Sequence, residues 1–287
     1  MAMTEPDHPT KAADVPPVVD KRPAKKKESW FEVVKTIVYA LLIAGFIRSF
    51  LFQPFNIPSG SMEGTLLVGD YLFVSKASYG YSRYSFPFGI FPFMGRFFAS
   101  SPQRGDIVVF KYPIDNSTDY IKRLIGLPGD HIQMKQGTLY INDQAVPQEK
   151  TDDFVGPNPC PAGASDQIQN VGDGTVRVPR YVETLPGGVK HEILNCSNEG
   201  SLDNTEVFTV PEGHYFMMGD NRDNSADSRA DVGYVPFENF VGKSEIIFFS
   251  IGCKLYSDPL VPDQRPLCGL TGWPFYIRFN RLGRLTY

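Results

Sequence analysis

Histidine and cysteine are scarce in this 287-residue chain, four of each, and neither is spaced for the chemistry it usually signals. Cys160, Cys196, Cys253 and Cys268 form no C-x-x-C pair, so a zinc ribbon and a dithiol redox motif are both excluded. His191-Glu192 lacks the second histidine of H-E-x-x-H, which removes the metalloprotease helix. No metal and no cofactor is expected. Positive charge is not in excess either: 28 Lys and Arg stand against 32 Asp and Glu, and no basic cluster lies outside the N-terminal tail. Nothing here would neutralise a phosphate backbone, so nucleic acid is set aside as a partner.

Large apolar side chains are nearly absent from residues 1–29, which predicts a disordered tail. From Val33 to Phe52 the composition inverts, and twenty mostly apolar residues span about 30 Å as a helix, the thickness of a bilayer core. Lys35 and Arg48 interrupt this stretch near its ends, where long basic side chains snorkel to headgroups. Lys21, Arg22, Lys25, Lys26 and Lys27 precede it, and no Lys or Arg falls between Gln53 and Ser75. That asymmetry predicts a single-pass anchor over 33–52 with its N-terminus in the cytoplasm. The following Arg48-Ser49-Phe50-Leu51-Phe52-Gln53-Pro54 is too bulky for a leader cleavage site, so the anchor is expected to stay attached, with residues 54–287 outside.

Beyond the anchor no long 3.6-residue periodicity appears. Strand-like runs occur at Tyr71–Val74, Ile107–Tyr112, Glu206–Val210 and Glu245–Phe249. Ile132 and Met134 alternate with polar neighbours, Gln136-Gly137 turns the chain, and Leu139 and Ile141 alternate back, a hairpin pattern repeated around Pro186-Gly187-Gly188. The expectation is a mainly β protein: an antiparallel sheet formed by 54–142 and 206–287, with a smaller β-rich insertion over the polar residues 143–205. The Phe-rich stretch 86–98 suits either a membrane surface or a loop folded on the core. Outside the cytoplasm, sequence proximity pairs Cys160 with Cys196 and Cys253 with Cys268; free buried thiols are the alternative.

Three stretches carry chemistry. Asn56-Ile57-Pro58-Ser59-Gly60-Ser61-Met62-Glu63-Gly64-Thr65-Leu66 places hydroxyls just past the anchor. A serine needs a base, and G-x-S-x-G is absent because Ser59 stands at its first glycine. His8 lies in the tail; a base drawn from His131, His191 or His214 stays open. The second stretch, Asp119-Tyr120-Ile121-Lys122-Arg123-Leu124-Ile125, sets Lys122 on an apolar strand. An unperturbed lysine is protonated at neutral pH, so burial must lower its pKa before it can act as a base. The third stretch, Gly219-Asp220-Asn221-Arg222-Asp223-Asn224-Ser225-Ala226-Asp227-Ser228-Arg229, fails as a calcium loop whether the pattern starts at Asn221 or at Asp223.

Together these stretches resemble bacterial type I signal peptidase, a Ser/Lys protease family, and Arg104-Gly105-Asp106-Ile107-Val108 falls in a fourth family box. The resemblance runs from the anchor to about Phe249. It implies Ser61 as nucleophile, Lys122 as general base, Ser225 orienting Lys122 by a hydrogen bond, and Ser59 completing an oxyanion hole. Arg123, Asp220, Asp227 and Arg229 are implied as structural ion pairs around the site. The implied activity is removal of signal peptides from exported preproteins after small-x-small, often Ala-x-Ala, at the outer face of the bacterial cytoplasmic membrane. Membrane lipid surrounds the anchor in that picture, and the translocation machinery is a candidate partner. Two alternatives are a Ser/Lys protease with a narrow substrate and an anchored binding protein without activity. One departure is Gly64, where the family commonly has proline; a looser turn is expected there.

Overall fold

The computed structural model describes residues 30–86, 94–164, 166–172, 174–252 and 277–286. The predicted tail, and Cys253 with Cys268, lie outside the described residues, as does most of the Phe-rich stretch. The last residues of that stretch that are described, Met94, Phe97 and Phe98, are exposed.

Helix α1, Trp30–Phe50, is long and apolar enough to cross a membrane by length and composition, and none of its residues is buried in protein. Packing divides the chain within α1, between Leu42 and Ile43. The helix starts and stops slightly before the apolar run did: Phe52 already opens strand β1, Phe52–Asn56, opposite Ser75. Apolarity by itself does not separate the end of a helix from the start of a strand.

The body is built on a seven-stranded antiparallel sheet. Its order is β1, β2 (Asp70–Ser75), the strand Phe240–Ser250, β3 (Ile107–Lys111), β4 (Asp119–Gly126), the strand His214–Met218 and the short Val235–Pro236. The eleven-residue strand Phe240–Ser250 serves two neighbours, β3 with its first residues and β2 with the rest, and register shifts interrupt both pairings. Such irregularities bend a strand and increase its twist. The sheet curls, so Gln53 of β1 and Asp119 of β4 line one cavity although three strands separate them in the sheet.

The hairpin predicted over 132–141 forms with Ile132 opposite Ile141 and Met134 opposite Leu139. Gln136 and Gly137 both take positive φ, 49° and 72°, the primed turn that matches strand twist. Ile132, Met134, Leu139 and Ile141 are buried with Ile125, Phe216 and Met218 in one core cluster. The Glu206–Val210 run shortens to a two-residue strand, Phe208–Thr209, at the edge of the hairpin's sheet. Within 143–205 two three-stranded sheets form, and Cys160 and Cys196 are disulfide-bonded with Cα atoms 5.7 Å apart.

Candidate active site

Ser61 sits in a single 3-10 turn, Gly60–Met62, directly after β1. The turn is pinned from below, because Met62 and Leu66 are fully buried with Ile57, Leu72, Ile107 and Ile247, and the Leu66 amide donates to the Met62 carbonyl at 2.8 Å. It is pinned from the side by Asn221. The Asn221 amide donates to the Ser61 carbonyl at 3.1 Å, and its Nδ2 donates to the Gly60 carbonyl at 3.1 Å and the Pro159 carbonyl at 2.7 Å. Asn221 thus ties the Ser61 turn to the chain beside the Cys160–Cys196 disulfide. The sequence reading gave Asn221 no role, because an asparagine in a polar loop carries no signal until its partners are known.

Lys122 reaches this turn from β4. It pairs there with Val108 of β3, in the buried half of the strand, and is 4% exposed. Its Nζ donates to Ser61 Oγ at 2.8 Å and to the Ile121 carbonyl at 3.0 Å. Burial lowers the Lys122 pKa from 10.5 to about 8, against the opposing pull of Asp227 and Asp220. At neutral pH that raises the neutral amine from a trace to roughly a tenth of molecules.

Ser59 Oγ lies 3.5 Å from Ser61 Oγ, and residues 58–61 face Asp119–Lys122 across a cavity of about 300 Å³ that Asn224 and Ala226 also line. None of the described histidines, His131, His191 and His214, lines it. His191 is buried elsewhere, its Nε2 3.3 Å from Glu183 Oε2, and burial lowers its pKa. Ser225 is buried close by, and its hydroxyl interacts with the Asp227 carboxylate while falling short of full hydrogen-bonding geometry with any described group. The bond from Ser225 to Lys122 is not among those formed here; the two partners of the Lys122 amine are Ser61 and Ile121.

Behind the cavity stand buried ion pairs. Arg123, fully buried, grips Asp220 with two bonds, Nε to Oδ1 at 2.8 Å and Nη2 to Oδ2 at 2.7 Å, and its Nη1 donates to the Gly105 carbonyl. Arg229 makes the same two-pronged contact with Asp227 at 3.0 and 2.8 Å, while Asp227 Oδ2 accepts from the Gly219 amide. Arg222 and Glu183 form a third such pair. Glu183 comes from the region read as an insertion, and its charge resembled that of any strand residue facing solvent. Asp106 holds Tyr79, in the turn after β2, and Lys243, on the strand Phe240–Ser250.

Gly64 occupies a conformation that favours glycine. It adopts φ +118°, and a Cβ there would lie 3.0 Å from the Glu192 carbonyl oxygen. Proline, with φ near -65°, has no access to this conformation. Gly64→Pro is therefore expected to cost about 1–3 kcal/mol in a denaturant titration. A wild-type midpoint would show that the turn does not depend on this backbone conformation.

A β-rich body presenting a serine hydroxyl to a buried amine is of the peptidase class, and the model of one family in that class, described as signal peptidase, peptidase S26, matches residues 30–249. The chain belongs to that family. A signal peptidase I of Rickettsia conorii (strain ATCC VR-613 / Malish 7) is 40% identical over 269 residues, 91% of this chain and 93% of the relative. A signal peptidase I of Rickettsia typhi (strain ATCC VR-144 / Wilmington) is 44% identical over 223 residues, 75% of this chain and 78% of the relative. A crystal structure of a signal peptidase I from Enterococcus faecalis V583 aligns at 28% identity over 50% of this chain and 97% of that one, with a TM-score of 0.28. A likeness that slight supports no geometric comparison.

Proposed function

We propose that this peptidase is a membrane-anchored endopeptidase in which Ser61 is the nucleophile and Lys122 its general base, removing signal peptides from exported preproteins after a small-x-small pattern such as Ala-x-Ala. The observation that carries the reading is the 2.8 Å contact between Ser61 Oγ and the buried Lys122 amine. In its neutral form Nζ accepts the hydroxyl proton as Oγ attacks the scissile carbonyl, and the new ammonium then protonates the departing amine. Water, deprotonated by the same amine, releases the acyl group from Ser61. The Ser59 hydroxyl and the Ser61 amide are the candidate donors to the oxyanion. Ser225, buried beside Asp227, is the candidate to steady the ammonium once it forms. Arg123, Asp220, Asp227 and Arg229 act as braces.

Substrate geometry supports the specificity. On β4 the strand His214–Met218 pairs only with Arg123–Gly126, and β3 takes the opposite edge, so among the described residues no strand covers the cleft edge of Asp119–Lys122. An extended substrate can pair there as an added strand, with alternate side chains turned to the same side. Small residues two apart fit a shallow cleft read in that way. Helix α1 and the basic residues before it favour an anchor whose N-terminus is cytoplasmic, which sets Ser61 near the outer membrane surface where exported chains emerge.

The test is cleavage of a membrane-inserted preprotein carrying Ala-x-Ala, with the new N-terminus read by mass spectrometry. Wild type should cut after the second small residue and Ser61→Ala should leave the preprotein intact. Cutting at the same bond by Ser61→Ala would sink the nucleophile assignment; an inert wild type would favour a narrow substrate or a binding role.

A further inference from the structure

A second, larger cavity of about 460 Å³ adjoins the Ser61 cleft and shares Asp119 with it. It gathers Arg48 from the last turn of α1, Lys76 from just past β2 and Lys111 from the end of β3, with Asp119 its one carboxylate. That carboxylate is taken, since Lys111 Nζ lies 2.9 Å from Asp119 Oδ1. Lys76 is 1% exposed, and its ammonium donates to the Ser85 carbonyl; among the described residues no carboxylate makes an ion pair with it, and the charge of Asp119 acts on it only from a distance. Arg48 has no ion-pair or hydrogen-bond partner among them.

Burying an ammonium without a counter-ion is costly. The strain on Lys76 is visible in its pKa, lowered from 10.5 to about 8 by burial first and by the charge of Arg48 next. An anion placed between these cations relieves both effects.

Arg48 also borders an apolar cavity of about 450 Å³, lined by Ala44, Ile47, Phe52, Pro54 and Phe73. Ile47 and Phe52 are exposed, and Phe73 stacks on the exposed Phe248 at 4.2 Å. A cationic chamber and an apolar chamber therefore meet at one arginine, at the end of an uncovered apolar helix.

We infer that the two chambers form a site for one anionic phospholipid, with its phosphate among Arg48, Lys76 and Lys111 and an acyl chain along Ala44, Ile47, Phe52 and Phe73. The recognised group is a phosphate diester; the apolar chamber selects a lipid over free phosphate. The inference rests on the anchored reading of α1. Its consequence is that a bound headgroup, one residue away from the cleft through Asp119, fixes the level of the cleft against the membrane surface.

The experiment is native mass spectrometry of the full-length chain in detergent with phosphatidylglycerol, phosphatidylcholine or inorganic phosphate. Phosphatidylglycerol should stay bound where the other two are lost. Arg48→Gln and Lys111→Gln should each weaken that retention about fivefold, the worth of one cation near an anionic headgroup. Lys76 is left intact because its burial makes a folding defect the expected result of changing it, and melting curves check that both variants fold. Equal retention of phosphatidylcholine, equal affinity for inorganic phosphate, or folded variants that bind as wild type does would each overturn the inference. Ser61→Ala should bind lipid normally, so failure of the peptidase reading is seen separately. Release of the chain from membranes by alkaline carbonate would instead sink the anchor.

Discussion

Lys122→Met should lose about 10³–10⁴-fold in kcat/KM, within the usual range for removing a general base, and still melt slightly higher than wild type. Methionine fills much of the lysine stem without carrying a charge. The buried amine is a standing cost to the fold. An unfolded lysine holds its proton up to 10.5 while the folded one releases it near 8, so the unfolded state binds more protons between those values. Stability contributed at Lys122 is therefore unpenalised above 10.5, falls as the pH drops through this window, and carries the full penalty of about 3 kcal/mol below 8. Against that gain stand two lost hydrogen bonds, each worth about 1 kcal/mol, which leaves a net gain of about 1 kcal/mol, or about 2–4 °C. Wild-type activity should fall tenfold per pH unit below about 8 and level off above it. Thermal melts and a pH–rate profile check both halves. An inflection near 6.5 in place of 8 would return the base assignment to a histidine.

Asp220→Ala should destabilise the body by about 3–5 kcal/mol, the cost of leaving a buried cation without its partner. Arg123 is fully buried and commits two of its nitrogens to Asp220. Neighbouring atoms give no substitute: the other acceptors of Arg123 are the Gly105 carbonyl and the Thr65 hydroxyl, both neutral. For a domain of this size the loss corresponds to about 10 °C in Tm. Activity should fall as well, because Arg123 follows Lys122 on β4 and Asp220 precedes Asn221, whose amide holds the Ser61 carbonyl. Replacing both partners, as Arg123→Met with Asp220→Leu, should recover much of the stability, since an apolar pair leaves no charge uncompensated. A cost below 1 kcal/mol for Asp220→Ala would mean that water reaches Arg123 after all.

The pattern of the chain was most legible where the physics is local. Alternation around Gln136-Gly137 marks a hairpin because side chains change face at every strand residue, and that hairpin forms in the expected register. The apolarity of α1, broken only near its ends, needs no partner to be read, though its boundary with β1 does. The Glu206–Val210 run had the composition of a strand and found a partner for only two residues. The chemical stretches were visible as residue types, but the hydroxyl of Ser225 and the grip of Asn221 were not, because a side chain's partner depends on elements far away in sequence. Glu183, Arg222 and His191 look like ordinary polar residues in the sequence for the same reason, and the positive φ of Gly64 shows only in the fold.

What the sequence by itself determined is therefore the set of parts: an apolar segment of bilayer length, a β-rich body, and a serine, a lysine and an asparagine-rich loop offered for one site. Whether the lysine is charged was decided by the tertiary structure. Desolvation belongs to the surroundings of a group rather than to its place in the chain, and only the curled sheet brings Lys122 to 4% exposure against Ser61. The same curl gathers Arg48, Lys76 and Lys111, which stand far apart in sequence, around one cavity.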